Sequence, residues 1–519
     1  MTTPHNPPSG TAGTTDTNST HLTGPDRRSV LEELADWASA LQLCDVPQRV
    51  VEFAASQILS QIAAIRVGLR QNEGKRLVGA LGAPFQRDTA QSARVLAGAG
   101  AWLNLDDTAY AGHLAPSTVA VPLAFAHALR LSGHDLLRAV IVANECASRI
   151  TASATLGPFR GQTALHTHLV GAVAGRLASE KAPVHQWRNA LALALSAPPW
   201  TLMRGFVSSD ARLLHVPVAV RMAMDACDAA AGGLTGAPDI VEHPDGFLDR
   251  FATVPLPEAV TAGLGHRWHT ETLSFKLHPG GPGIDAAIDC AAELHSLMGD
   301  WSPEDVEEIV VEGSLYTLFA ARKAQPYLDG PRTPLGVMVL TTPYPVATAL
   351  LTGHLAIEDF CPPAVDRAER WALAAKVRLV HNASMTRALL TGDAPVGEAI
   401  RQAGDRSAEW LRAFGGDDVP DLPALLGEVG PPLEDFTQAV KPTPARVTVR
   451  MRDGRSHSRE LSIPHGGIGP ALRERHRALV TDKFLASGGP RDIAEAWSDL
   501  AGFGPDDLAP LIEKALTVQ

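Results

Sequence analysis

The chain has 519 residues, a net charge of −12 and 45% hydrophobic residues. That length exceeds what one hydrophobic core usually holds, so two domains are expected. The acidic balance, with no basic stripe to neutralise phosphates, argues against a nucleic-acid binder, although a single Arg or Lys in a pocket still acts locally on an anionic substrate.

Residues 1–26 are mostly Thr, Pro, Ser, Gly and Asn with little to bury, which predicts a disordered tail. They carry no hydrophobic core that would make a signal peptide, and no apolar run is read as long enough to span a bilayer. The five cysteines, Cys44, Cys146, Cys227, Cys290 and Cys361, stand singly in apolar segments, the pattern of free thiols in a reducing compartment. A cytoplasmic protein without a membrane partner is therefore expected. Ser29 with Glu32 reads as a capping box that opens the first helix.

An all-helical domain is expected over 27–268. Its Ala, Leu and Val recur near period 3.6 in segments such as 48–69, 88–103, 134–154, 163–180 and 215–232. The composition then shifts. A strand pattern at 307–313 and a strong hairpin signal at Asp453-Gly454, within 446–461, lie among helical stretches at 284–298, 344–352, 367–377 and 397–413. This reads as an α+β lid domain over 269–465, followed over 466–519 by helices that return to the first domain. The fold class is mainly α with a second α+β domain.

Carboxylates, hydroxyls and imidazoles concentrate between Asn104 and Arg176 among apolar helices, where burial makes polar groups expensive. Asp106 and Asp107 are adjacent, so they point in different directions. Asp107 is taken as the one facing a pocket, with N-capping of the next segment as the alternative. His166 and His168 are two apart, which on a helix rotates them by about 200° and prevents a shared metal. No metal is expected there.

An ordered set of motifs resembles the MmgE/PrpD family: Asn104-Leu-Asp-Asp-Thr108, Pro116-Ser117, Val-Pro-Leu-Ala at 121–124, Ser209-Asp-Ala-Arg-Leu-Leu-His215, Phe275-Lys276 before Pro279-Gly280, Thr342-Pro-Tyr344, Asp453-Gly454 and Asp482-Lys483-Phe484. The resemblance implies a homodimer with a polar pocket between a helical domain and an α+β lid. It also implies chemistry at the carbon beside a carboxylate or carbonyl, run by side chains without a cofactor. The chain departs from the family pattern at Asn104, commonly Asp, and at Ala115, commonly His. It departs again at Arg160, near a second expected His, and at Arg212, where the family carries Lys.

Removing a proton beside a carboxylate requires a base at the carbon and cations or hydrogen-bond donors for the enolate charge. On the resemblance, His113, Lys276, Tyr344, Thr108 and Asp107 are assigned to catalysis, and Asn104, Arg160, His166, His168 and Arg212 to binding a small carboxylic acid. Each also has a plain structural reading: His113 as a helix cap, Lys276 as a solvated turn residue, Tyr344 as packing. His215 and His278 are read as structural imidazoles. The expected activity is a cofactor-independent dehydratase, with an isomerase, an epimerase or a decarboxylase using the same apparatus as alternatives. A non-catalytic homologue kept for binding or assembly is the alternative of another class.

Overall fold

The computed structural model describes residues 28–109, 112–160 and 163–518. The expected disorder of 1–26, and Gly161 and Gln162 in the segment before His166, lie outside them. The first helix, Val30–Ala40, opens as anticipated: Ser29 Oγ accepts from Glu32 N at 3.1 Å while Glu32 Oε2 accepts from Ser29 N at 3.1 Å.

A large helical portion follows, centred on Gly133–Ser153, which is buried along almost its whole length. Against it pack Leu165–Glu180 and Gln48–Arg70, with Thr89–Ala101 and Ala211–Ala231 completing the layer. Small residues set how closely these helices approach. A Cβ on Gly171 would stand 2.7 Å from Thr118 Cγ2 and 2.8 Å from Ser117 Oγ, so glycine lets Leu165–Glu180 lie directly on the short helix Ala115–Thr118.

Gln48–Arg70 is long and apolar enough to cross a membrane, which the sequence reading did not anticipate, yet 89% of its most apolar window is buried inside the protein. It is a core helix. Among its buried polar residues, Gln57 and Ser60 serve the cluster described below.

Two strands of two residues each, β1 (Asp107–Thr108) and β2 (Ser274–Phe275), pair antiparallel with Asp107 opposite Phe275 and Thr108 opposite Ser274. This ladder fastens the start of the α+β portion to the middle of the helical one. The α+β portion carries a sheet ordered β4-β3-β5-β6, formed by β3 (Val306–Gly313), β4 (Val377–His381), β5 (Ala445–Met451) and β6 (Ser456–Leu461). β3 and β4 are parallel, the other pairs antiparallel, and Asp285–Met298 packs on β5 and β6.

The hairpin turn falls at Asp453-Gly454 as its sequence requires, with Gly454 at φ 89°. Two details differ from the sequence pattern. β4 went unseen because Val377–His381 lacks clean alternation and is only half-buried. The helix expected over 397–413 is instead two helices, Val396–Ala403 and Ala408–Gly415, broken where Gly404 takes φ 54°.

At the C-terminus, Pro470–Ala486 packs on Gln48–Arg70, and Pro505–Leu516 lies on Ala120–Leu129. Arg66 locks this return by donating to the carbonyls of Ala515 at 2.7 Å and Thr517 at 2.6 Å, and to that of Gly488.

Candidate functional site

Asn104 turns the chain out of Thr89–Ala101 with φ 49°, a left-handed conformation that asparagine tolerates better than most residues. The next residues run extended into β1, so Asp106 and Asp107 face opposite ways. Asp107 Oδ1 accepts from Leu114 N at 2.9 Å and Ala115 N at 3.1 Å, and Oδ2 accepts from Gln57 Nε2 at 2.6 Å. Gln57 is itself held by a reciprocal pair with Asn144, at 3.1 and 2.7 Å. Burial and the neighbouring Asp106 push Asp107 above the usual carboxylate range, against these hydrogen bonds. Asp107 is thus a cap with both oxygens occupied, which corrects its assignment to the pocket.

Asp106 is the carboxylate that faces the cluster. It is 1% exposed, and among the described residues neither oxygen accepts a well-aligned hydrogen bond. His113 Nδ1 lies 3.0 Å from Asp106 Oδ2, off the in-line direction of the ring N–H. On the other side of the ring, Nε2 is 3.0 Å from Asn104 Nδ2. Arg212 Nη2 donates to Asn104 Oδ1, which orients the amide so that its NH2 faces the imidazole.

The neutral ring therefore carries its proton on Nδ1, toward Asp106, and presents Nε2 as the acceptor. Burial disfavours a second proton, but the charge and contact of Asp106, with Asp107 behind it and Lys276 opposing, raise His113 above its ordinary value. With Nδ1 protonated, Nε2 is the nitrogen left for a second proton, and the Asn104 NH2 then loses its acceptor.

Three cations lie near this pair, and a fourth, Lys441, lies near Asp107 and Thr108. The β1–β2 ladder continues with Lys276 N donating to Asp106 O at 3.1 Å, and the buried Lys276 ammonium donates to Asp285 Oδ1 and, at 3.4 Å, to Gly281 O. Arg212 is fully buried, donates to Gly336 O at 2.5 Å and lies 4.7 Å from the Phe206 ring. Burial pulls it down to about 9, with Asp106 opposing. Lys483 donates to Ser60 Oγ at 2.8 Å and to the carbonyls of Leu105 and Asp106, and burial lowers it to about 7. Lys441 reaches Thr108 Oγ1 at 3.2 Å and is lowered to about 8 by burial.

Of the expected residues, Asn104, Thr108, His113, Arg212 and Lys276 come together. Asp106 and Lys441 were missed, and Lys483 entered only as part of a motif. A signal existed: the chain has eight lysines, and these three are the buried ones, the other five being exposed or half-buried.

His168 borders the cluster, with Nδ1 3.1 Å from Ser117 Oγ and its ring 6.0 Å from that of His215. Burial, with the neighbouring imidazoles of His215, His113 and His166, holds it well below its ordinary value, so it is neutral. His215 is bound to Arg212 O and lowered to about 4 by burial. His166 points elsewhere on the same helix, 5.3 Å from the Phe247 ring and 5.6 Å from that of Phe251, and among the described residues neither nitrogen has a hydrogen-bond partner. No group of three or more His, Cys, Asp or Glu among the described residues is arranged for a metal.

Two assigned residues have other settings. Arg160 is exposed on the loop after Gly133–Ser153, unlike the buried cations of the cluster. Tyr344 does not meet His113 and Lys276. Its hydroxyl donates to Asp359 O at 2.6 Å, and its ring packs 4.6 Å from Trp371 and 5.8 Å from Phe360, beside the Arg370–Asp359 pair at 2.8 Å. Its neighbours Pro343 and Pro345 fall in the first turn of the helix Pro343–Thr352, where a missing N–H costs nothing. His278, read as structural, is bound to Asp289 at 2.8 Å.

Residues 32–259 match the MmgE/PrpD N-terminal domain and residues 278–416 the MmgE/PrpD C-terminal domain. Cis-aconitate decarboxylase-like protein oryM of Aspergillus oryzae is 25% identical over 390 residues, covering 68% of this chain and 80% of that protein. Cis-aconitate decarboxylase of Aspergillus terreus is 29% identical over 288 residues, covering 49% and 57% respectively.

Proposed function

Because this chain belongs to the MmgE/PrpD family, we propose that it is a lyase that works without a cofactor on a small polycarboxylic acid, with decarboxylation as the favoured reaction. The observation that carries the reading is the buried Asp106 carboxylate, without a well-aligned hydrogen bond among the described residues and 3.0 Å from His113 Nδ1. Both decarboxylase relatives support it.

In this reaction Arg212 and Lys276 hold substrate carboxylates. The bond to the departing carboxylate breaks, its electron pair stays on the carbon skeleton beside these cations, and CO2 leaves. The carbanion takes the proton on His113 Nε2, and Asp106 stabilises the imidazolium beforehand. The raised proton affinity of His113 suits that donor role. Dehydration is the second reading, favoured by the Asn104 amide, which donates to Nε2 and so suits a ring that starts as a base. A homodimer in the cytoplasm goes with either, supported by the resemblance and by five unpaired cysteines.

The test is to incubate the protein in D2O with cis-aconitate and with 2-hydroxy tricarboxylates and follow the products by NMR. Decarboxylation releases CO2 and leaves one solvent deuterium on the product, whereas dehydration releases water and forms a double bond. His113→Ala is expected to lower either rate by roughly 10²–10⁴-fold. Folded wild type that neither turns over nor exchanges any of these acids points instead to a non-catalytic homologue.

A further inference from the structure

Three lysines from distant parts of the chain meet the Asp106–Thr108 segment, Lys276 through its backbone N–H and Lys441 and Lys483 through their ammonium groups, and the fold provides for the three ammonium groups unequally. Lys483 has three oxygen acceptors, from Ser60, Leu105 and Asp106. Lys276 has the Asp285 carboxylate and Gly281 O. Lys441 is 7% exposed and, among the described residues, has one acceptor, the hydroxyl of Thr108. An ammonium carries three donors, and burying a charge with donors unmet is costly.

The carboxylates near Lys441 are already engaged. Asp285 holds Lys276, and Asp107 holds Gln57 and the backbone of Leu114 and Ala115. The position of Lys441 is nevertheless fixed, because its backbone N–H donates to Ile468 O at 3.2 Å and that of Val440 donates to Asp393 Oδ2 at 3.1 Å. The cluster reaches solvent at His113, whose side chain is 18% exposed.

We infer that Lys441, with Thr108 beside it, binds a second carboxylate of the substrate and so selects di- and tricarboxylic acids over monocarboxylic ones. This rests on the cluster being an acid-binding site. A bound anion would supply the missing acceptors and raise Lys441 from its depressed value. Asp285 and Asp107 already favour its charge, and Lys276 opposes it.

The experiment is calorimetric titration of wild type, Lys441→Met, Lys441→Gln, Lys441→Arg and Lys276→Ala with tricarballylate, glutarate and butyrate. It is run at pH 7, and at pH 8.5 in buffers of different ionisation heat. Lys441→Met and Lys441→Gln are expected to weaken tricarballylate by roughly 10- to 100-fold and leave butyrate unchanged. Lys441→Arg should recover part of the loss, and the proton uptake of wild type at pH 8.5 should shrink in Lys441→Met. If Lys276→Ala loses tricarballylate while folded Lys441→Met and Lys441→Gln keep it, Lys441 is structural and the acid-binding reading stands. Equal loss for all three acids also overturns the inference. Wild type that binds none of them overturns the acid-binding reading, and the inference falls with it.

Discussion

Glu145 and Asp106 are both buried carboxylates in the helical portion, and the fold treats them oppositely. Glu145, fully buried on Gly133–Ser153, accepts from His269 N at 3.1 Å, from Thr270 N at 2.9 Å and from Thr270 Oγ1 at 2.9 Å, with Arg149 Nε 3.6 Å away. Arg149 donates in turn to Ala262 O at 2.7 Å and Arg267 O at 2.8 Å. Asp106 is equally dry, yet among the described residues neither of its oxygens accepts a well-aligned hydrogen bond. A buried charge whose acceptors are all filled ties helices together, whereas one left unfilled keeps its field available for a neighbouring imidazole or a ligand.

The largest expected effects come from exchanging these fates. Glu145→Ala leaves Arg149 buried without its carboxylate and is expected to cost about 3–5 kcal/mol of stability, read from the urea midpoint. Asp106→Asn should instead lower turnover by roughly 10²–10⁴-fold while moving stability by only about 1 kcal/mol. Comparable stability losses in the two variants would break the comparison.

Acid titration sharpens it next. Burial lowers His166 and His215 from 6.5 to about 4. Between those pH values the unfolded chain binds protons that the folded chain refuses. Their stability is therefore fully present above the unfolded value and falls as pH drops toward 4, by about 3 kcal/mol for each ring. His166→Phe should flatten this limb of a stability–pH profile, and an unchanged limb would mean that the ring is solvated. His113, raised in the folded state, contributes with the opposite sign: its stability is present below the unfolded value and is lost as pH rises through the folded one.

Tyr344 gives the smallest effect. Its hydroxyl serves Asp359 O, so Tyr344→Phe should cost about 1 kcal/mol and leave turnover unchanged. A drop in kcat would return Tyr344 to the site.

Local signals explain what the sequence made legible. The capping box at Ser29, the Asp453-Gly454 hairpin and the helical periodicities depend on neighbours a few residues apart, and the fold honours them. The ordered motifs carried the family and brought Asn104, Thr108, His113, Arg212 and Lys276 into consideration. The choice between Asp106 and Asp107 was not legible, because on an extended strand it depends on which side the chain returns to cap Ala115–Thr118. Lys441 was hidden for a related reason: its partner Thr108 lies more than three hundred residues away, and only the packed structure brings them together. Tyr344 misled because a proline-flanked tyrosine reads alike in a pocket wall and in a helix start.

Whether Asp106 readies His113 to carry a second proton is read by NMR titration of the His113 ring in wild type and Asp106→Asn. The expected result is a wild-type pKa above the ordinary 6.5 and a clear fall in the variant. A His113 that titrates below 6.5 in wild type, or that is unmoved by Asp106→Asn, would contradict it.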